Sequence, residues 1–199
     1  MRKLLIATGN RHKFEEFRAL LAGLPAELLS LGDAGIVDEV EETGATFRDN
    51  AQLKAEGYAG QSGLLTLADD SGLEIAALGG RPGVLSARYG GLRGPEQLAF
   101  VLRELEGVPF HERMARFVCV LAIAAPGLET RFVEATVPGV IEHEPKGSHG
   151  FGYDPIFYLL ERGMTMAELP PEEKDRLSHR GLAVAQARPI LLQLLTKSE

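Results

Sequence analysis

An apolar run from Ala115 to Ala125 (ARFVCVLAIAA) is closed by Pro126-Gly127 and followed by alternation from Thr130 to Val137. Pro-Gly is a turn dipeptide, and a long apolar run facing an alternating one across it reads as an antiparallel hairpin. A chain with such a hairpin must build a sheet and cover it. The opening supplies more of both. Lys3 to Ala7 (KLLIA) reads as a buried strand stopped by Thr8-Gly9-Asn10. Phe14, Phe17, Leu20, Leu21 and Leu24 repeat at helical spacing with Gly23 as a cap, and Ala26 to Leu31 completes a strand–helix–strand unit. Thr46 to Tyr58 reads as a helix with Thr46 as N-cap and Asp49 in its first turn. Leu64 to Ala68 and Leu73 to Leu78 read as strands on either side of Asp69-Asp70-Ser71-Gly72. Gly79 to Gly94 reads mostly as loop, and Pro95 introduces a helix from Glu96 to Leu105. The last helix carries Leu182, Ala185, Ile190, Leu191, Leu194 and Leu195, and Pro189 inside it is expected to kink or split it. Strands and helices mix without strict alternation, so the expected class is mixed α/β, with helices packed on a mixed sheet.

The 199 residues suffice for one large domain or two tightly joined lobes. The single cysteine, Cys119, excludes an internal disulfide framework and a cysteine zinc cluster, and its place in an apolar strand marks it as core. No apolar run approaches the ~20 residues of a membrane span, and Leu4 to Ala7 is too short for a signal-peptide core, so a cytoplasmic protein is expected. Twenty-one Lys and Arg against 28 Asp and Glu leave a net charge of −7. That balance argues against a nucleic-acid binder but not against a small anionic substrate, because a few local cations decide the potential within a Debye length of ~8 Å.

Several short stretches carry candidate chemistry. Thr8-Gly9-Asn10-Arg11-His12-Lys13 joins a strand to a helix, where backbone N–H groups and the helix dipole favour phosphate; a simple capped helix start fits as well. No GxxxxGK[ST] loop is present. Asp69 and Asp70 follow an apolar strand. Neighbouring side chains point to opposite faces, so one carboxylate is expected in a shared site and the other in a structural role; an Asx turn with both solvated is the plainer reading. Carboxylates at a strand end suit Mg²⁺. Glu41-Glu42 is a second carboxylate source, and Lys54 shares a helix face with Asn50 one turn earlier. Phe151, between Gly150 and Gly152, offers an aromatic face for stacking on a base, although Phe151 and Tyr153 equally suit a core position at a strand start. Lys174 with Ser178-His179-Arg180 groups a cation, a hydroxyl, an imidazole and a guanidinium, with Ser178 also a possible N-cap.

Taken in order, TGNRHK at 8–13, EETG at 41–44, TFRDNAQLKA at 46–55, ADDSGLEI at 68–75, LGGRPGVLSARYGG at 78–91, GFGYDPIF at 150–157 and EEKDRLSHRG at 172–181 strongly resemble the inosine/xanthosine triphosphate pyrophosphatase family, over about Lys3 to Leu195. The resemblance implies an elongated mixed α/β sheet flanked by helices, a single domain over 1–199 with two lobes and a cleft between them, and a homodimer. It implies Mg²⁺-dependent hydrolysis of ITP, dITP and XTP to the monophosphate and pyrophosphate, which clears deaminated purines from the nucleotide pool. Thr8, Gly9, Asn10, Arg11, His12 and Lys13 would hold the triphosphate, and Lys13 and Lys54 would supply catalytic charge. Glu41 and Asp70 would serve Mg²⁺, with Asp70 also the proton acceptor. Ser71 would contact the substrate, and Phe151, Gly152, Tyr153, Asp154, Lys174, His179 and Arg180 would form the nucleoside side. The competing classes are a nucleotide hydrolase with another base choice and a non-catalytic nucleotide-binding module.

Overall fold

The computed structural model describes residues 2–196, so positions 1 and 197–199 of the expected domain lie outside the described residues. In chain order the main elements are β1 (Arg2–Ala7), α1 (Arg11–Leu20), β2 (Ala26–Leu29), α2 (Phe47–Ser62), β3 (Leu65–Ile75), α3 (Gly94–Glu104), β4 (Met114–Ala124), β5 (Arg131–Ile141), β6 (Phe157–Leu159), β7 (Met164–Thr165), α4 (Pro171–Leu177) and α5 (His179–Thr196). The strands form one sheet in the order β2-β1-β3-β4-β5-β6-β7. β1 runs parallel to β2, with Leu4 opposite Leu28, and parallel to β3, with Ile6 opposite Leu67. β6 is antiparallel to both β5 and β7. β4 and β5 are neighbours joined only by residues 125–130, too short for a parallel crossover, so they form the expected hairpin. The class is mixed α/β.

The chain divides into two compact units. The first comprises the chain up to Asp70, Cys119–Ala135 and the part from Leu182 onward. In it, Leu4 and Ile6 of β1, Leu67 of β3 and Cys119, Leu121 and Ile123 of β4 pack with Phe17 of α1 and Leu191 of α5. The alternate residues Leu5, Ala7, Thr66 and Ala68 are equally buried, and α2 packs on β1 with Ala51, Ala55 and Ala59 buried. Strands covered on both faces read as continuous apolar runs, which is why KLLIA does not alternate. The second unit comprises Ser71–Val118 and Thr136–Gly181. Its core joins Leu73 and Ile75 of β3, Phe117, Ile141 and Phe157 to Leu98 and Val101 of α3.

Several elements differ from expectation, among them Ala76–Leu78 and Gly83–Gly91, which are 3-10 helical rather than strand end and loop. Asp69, Asp70 and Ser71 do not sit in a turn between two strands; they lie inside the single strand β3. β2 ends at Leu29, before the expected Leu31, because the Asp33 carboxylate accepts both the Ser30 N–H (2.9 Å) and the Ser30 hydroxyl (2.7 Å) and turns the chain there. α5 is not split by Pro189. Pro189 and Ala185, whose carbonyl loses its helical donor, are both exposed, so water can replace the missing bond. Among the described residues no helix is long and apolar enough to cross a membrane.

Candidate active site

In the first unit the key side chains come from β3, α1, α2 and the loop before α2. The start of α2 is set by a capping box: the Asp49 N–H donates to Thr46 Oγ1 and the Thr46 N–H to Asp49 Oδ2, each at 3.1 Å. Asn50 and Lys54, one turn apart, then share a face. Asn50 Nδ2 donates to Asp70 Oδ2 (3.1 Å), and Lys54 Nζ lies 3.6 Å from Asp70 Oδ1 and 3.1 Å from Glu42 Oε1. Asp69 points the other way, as strand alternation requires, and its Oδ2 accepts from Lys13 Nζ of α1 at 2.8 Å. The structural role expected for one of the two aspartates includes this ion pair with Lys13.

Burial holds the Asp70 carboxyl above the ordinary carboxylate range; the fields of Glu42 and Asp69 add to it, and Lys54 and Lys13 oppose it. Burial works against the Lys54 ammonium, but Asp69, Asp70 and Glu42 together hold its pKa above the ordinary lysine value. A buried carboxylate with a raised pKa beside fixed cations is equipped to accept a proton.

Glu41, expected at the metal, is exposed, and its neighbour Glu42 pairs with Lys54. The loop is pinned through Gly44, whose N–H donates to Asn50 Oδ1 (2.8 Å), and along it Glu42 is half-buried while its neighbours Glu41 and Thr43 are exposed. Asp70 and Glu42, hard oxygen donors meeting one cationic centre, fit Mg²⁺, which is normally held by one or two carboxylates completed by water and phosphate oxygens. No group of three or more His, Cys, Asp or Glu able to hold a metal assembles among the described residues.

The loop at 8–13 is more self-satisfied than expected. Asn10 caps α1, its Oδ1 accepting the N–H groups of His12 (2.9 Å) and Lys13 (3.3 Å), and Thr8 Oγ1 accepts the Asn10 N–H. Those amides are directed at Asn10 rather than outward; Gly9, Arg11 and His12 are exposed.

In the second unit Ser71 Oγ accepts from Arg180 Nη2 (2.8 Å). Lys174 Nζ stands 4.9 Å and Arg180 Cζ 5.7 Å from the centre of the Phe151 ring. Buried Asp154 pairs with Lys174 (2.9 Å) and accepts the Phe151 N–H (2.8 Å), so it fixes both the cation and the loop. Gly150, at φ +74°, permits this: a Cβ there would strike the Asp154 carboxylate and lie 2.9 Å from Lys174 Nζ. His179 is buried and stacked on Phe117, with ring centres 4.6 Å apart. Ser178 breaks α4 from α5, and its Oγ accepts the Gly181 N–H (3.0 Å), confirming its capping role.

Tyr153, expected on the nucleoside side, packs in the core of the second unit. It is buried, and its hydroxyl donates to the Ser86 carbonyl (2.9 Å), while burial raises its pKa. Gly152 beside it takes φ +62° and turns the chain. Tyr153→Phe should therefore cost about 1 kcal/mol of stability in a denaturant titration and leave turnover unchanged.

The model of the Ham1 family matches residues 4–190. The chain belongs to the Ham1 family. Among similar proteins, one of Geobacillus kaustophilus (strain HTA426) named dITP/XTP pyrophosphatase is 52% identical over 188 residues, which is 94% of this chain and 92% of that protein. One of Bacillus subtilis (strain 168) with the same name is 46% identical over 193 residues, 96% and 98% of the two chains. Among solved structures, a HAM1 protein from Coxiella burnetii superposes with a TM-score of 0.88 at 40% identity, covering 97% of this chain and all of that one (100%). A nucleoside-triphosphatase / dITP/XTP pyrophosphatase from Mycobacterium abscessus gives a TM-score of 0.75 at 45% identity, covering 94% and 99%.

Proposed function

We propose that this Ham1 chain hydrolyses the non-standard purine nucleoside triphosphates ITP, dITP and XTP to the monophosphate and pyrophosphate, in a Mg²⁺-dependent reaction in the cytoplasm. The observation that carries the reading is Asp70: a buried carboxylate of raised pKa, bonded by Asn50 and faced by Lys54, in a chain whose relatives named above are dITP/XTP pyrophosphatases.

Water attacks the α-phosphorus and gives its proton to Asp70. The bond from the α-phosphorus to the bridging oxygen breaks, and pyrophosphate leaves. Lys54 and Lys13 stabilise charge on the phosphate oxygens; a charge pair at ~4 Å is worth about 4 kcal/mol before desolvation at an effective dielectric of ~20. Asp70 and Glu42 would hold Mg²⁺, which would supply Lewis-acid neutralisation of those oxygens. We assign the base to the Phe151 cluster. The ring stacks on the purine, and Arg180 and Lys174 present donors that suit the 6-oxo acceptor of hypoxanthine and xanthine. The 6-amino group of adenine would leave such donors unpaired, a mismatch able to discriminate by up to ~10⁴–10⁵.

Stacking contributes affinity rather than choice. Phe151→Ala should lower kcat/KM by about 5- to 150-fold for every substrate alike, the equivalent of ~1–3 kcal/mol; a loss confined to one base would contradict that role. The site of attack is tested by hydrolysing ITP in ¹⁸O-labelled water. Label in the monophosphate and none in the pyrophosphate is expected, and label in pyrophosphate or orthophosphate would overturn the mechanism.

A further inference from the structure

We propose that Asn50 is a positioning residue that sets the orientation of the Asp70 carboxylate and ties it to the loop bearing Glu42. Asn50 is 1% exposed, and both ends of its amide are used. Its Oδ1 accepts the Gly44 N–H at 2.8 Å, and its Nδ2 donates to Asp70 Oδ2 at 3.1 Å. The amide cannot turn over without loss, because a main-chain N–H can only donate and an ionised carboxylate can only accept. Its direction therefore follows from its two neighbours. Asn50 and Lys54 meet different oxygens of Asp70: Nδ2 donates to Oδ2 and the ammonium faces Oδ1.

The same amide fastens the loop. Gly44 approaches so closely that a Cβ would lie 2.5 Å from Asp49 Cβ and 2.7 Å from Asn50 Oδ1, so only glycine fits. Two residues earlier Glu42 meets Lys54. Asn50 thus links the two carboxylates that face Lys54, one through its own donor and the other through the backbone it holds. The capping box at Thr46 and Asp49 fixes the helix turn from which it projects.

The effect on turnover rests on the function proposed above; the effect on Asp70 does not. A proton acceptor must present its lone pair to the attacking water, and displacement by ~1 Å can cost about 10²-fold. Asn50→Asp keeps an acceptor for Gly44 but places a carboxyl group where Asp70 needs a donor. Asn50→Leu has nearly the shape of Asn and removes both bonds.

The experiment measures steady-state kinetics with XTP and Mg²⁺, melting temperature, and the crystal structure of each full-length variant. For both variants kcat should fall about 100-fold while KM stays within about threefold. Asn50→Leu should also melt lower, and in both structures the Asp70 carboxylate should be rotated from its place beside residue 50. A filler role predicts wild-type kcat in the folded Asn50→Leu protein and an unmoved Asp70; either result would overturn the proposal. If the wild-type chain cleaves no purine triphosphate, the functional reading fails, and the position of Asp70 in the variant structures still decides the role of Asn50.

Discussion

Asp70→Asn is expected to lower kcat by about 10²–10⁴-fold, the usual contribution of a general base, and at the same time to raise the melting temperature near neutral pH. The two effects share one cause. The side chain keeps its shape but can no longer take a proton from water. Burial also holds the native Asp70 pKa above the ordinary carboxylate value. The folded state therefore binds that proton more tightly than the unfolded state does. The resulting stability is complete below the unfolded-state pKa of about 3.9 and is lost as pH rises through the native value. At neutral pH the wild type has lost it, whereas a neutral amide has no such loss. Melting curves at pH 7.5 and at about pH 4 check the sign: the gain from the variant should be present at the first and vanish at the second. A lower melting temperature for the variant at pH 7.5 would mean that the contact with Lys54 outweighs burial.

Lys54→Met should be the most damaging single change among the cations. Its side chain is 11% exposed, its ammonium faces Asp70 and Glu42, and the field of Asp69 also acts on it. Removing one partner of a buried ion pair leaves uncompensated charge, here at a cost of about 3 kcal/mol, at the low end because the Glu42 side chain is a third exposed. Turnover should fall by about 10²–10³-fold, as for loss of a fixed electrostatic donor. The native Lys54 pKa is raised, so its contribution to stability is present below the ordinary lysine value and is lost only above it. The deficit of the variant should therefore be constant across neutral pH. It should shrink in acid as the orphaned carboxylates take up protons. Urea titrations at pH 5, 7 and 9 distinguish this pattern from a simple packing defect, which would be independent of pH.

What could be read from the residues alone was set by local physics. The β4–β5 hairpin, the β1–α1–β2 opening and the capped start of α2 announce themselves through turn chemistry, two-sided burial and N-cap residues. Features settled at long range are not displayed by the local sequence. Asp69 and Asp70 resemble a turn because the cation satisfying Asp69 comes from Lys13, 56 positions earlier, and nothing local shows that a strand can continue through them. Glu42 rather than Glu41 reaches Lys54 because the amide of Asn50 sets the loop at Gly44. Tyr153 and Phe151 are equivalent by pattern, but the Ser86 carbonyl, 67 residues away, draws one into the core. Ser71, Phe151, Lys174 and Arg180 were legible as a group only through their motifs, since no spacing rule places a β3 serine on an α5 arginine. Pro189 misled in the other direction: its cost depends on exposure, which the sequence does not display.

The most direct test of the central claim is a product assay with Mg²⁺ on the purified chain, offering ITP, dITP, XTP, GTP and ATP separately and resolving monophosphate with pyrophosphate from diphosphate with phosphate. Inosine, deoxyinosine and xanthosine monophosphates with pyrophosphate, and ATP and GTP nearly untouched, are the predicted result. Release of orthophosphate, or turnover of ATP equal to that of XTP, would contradict it.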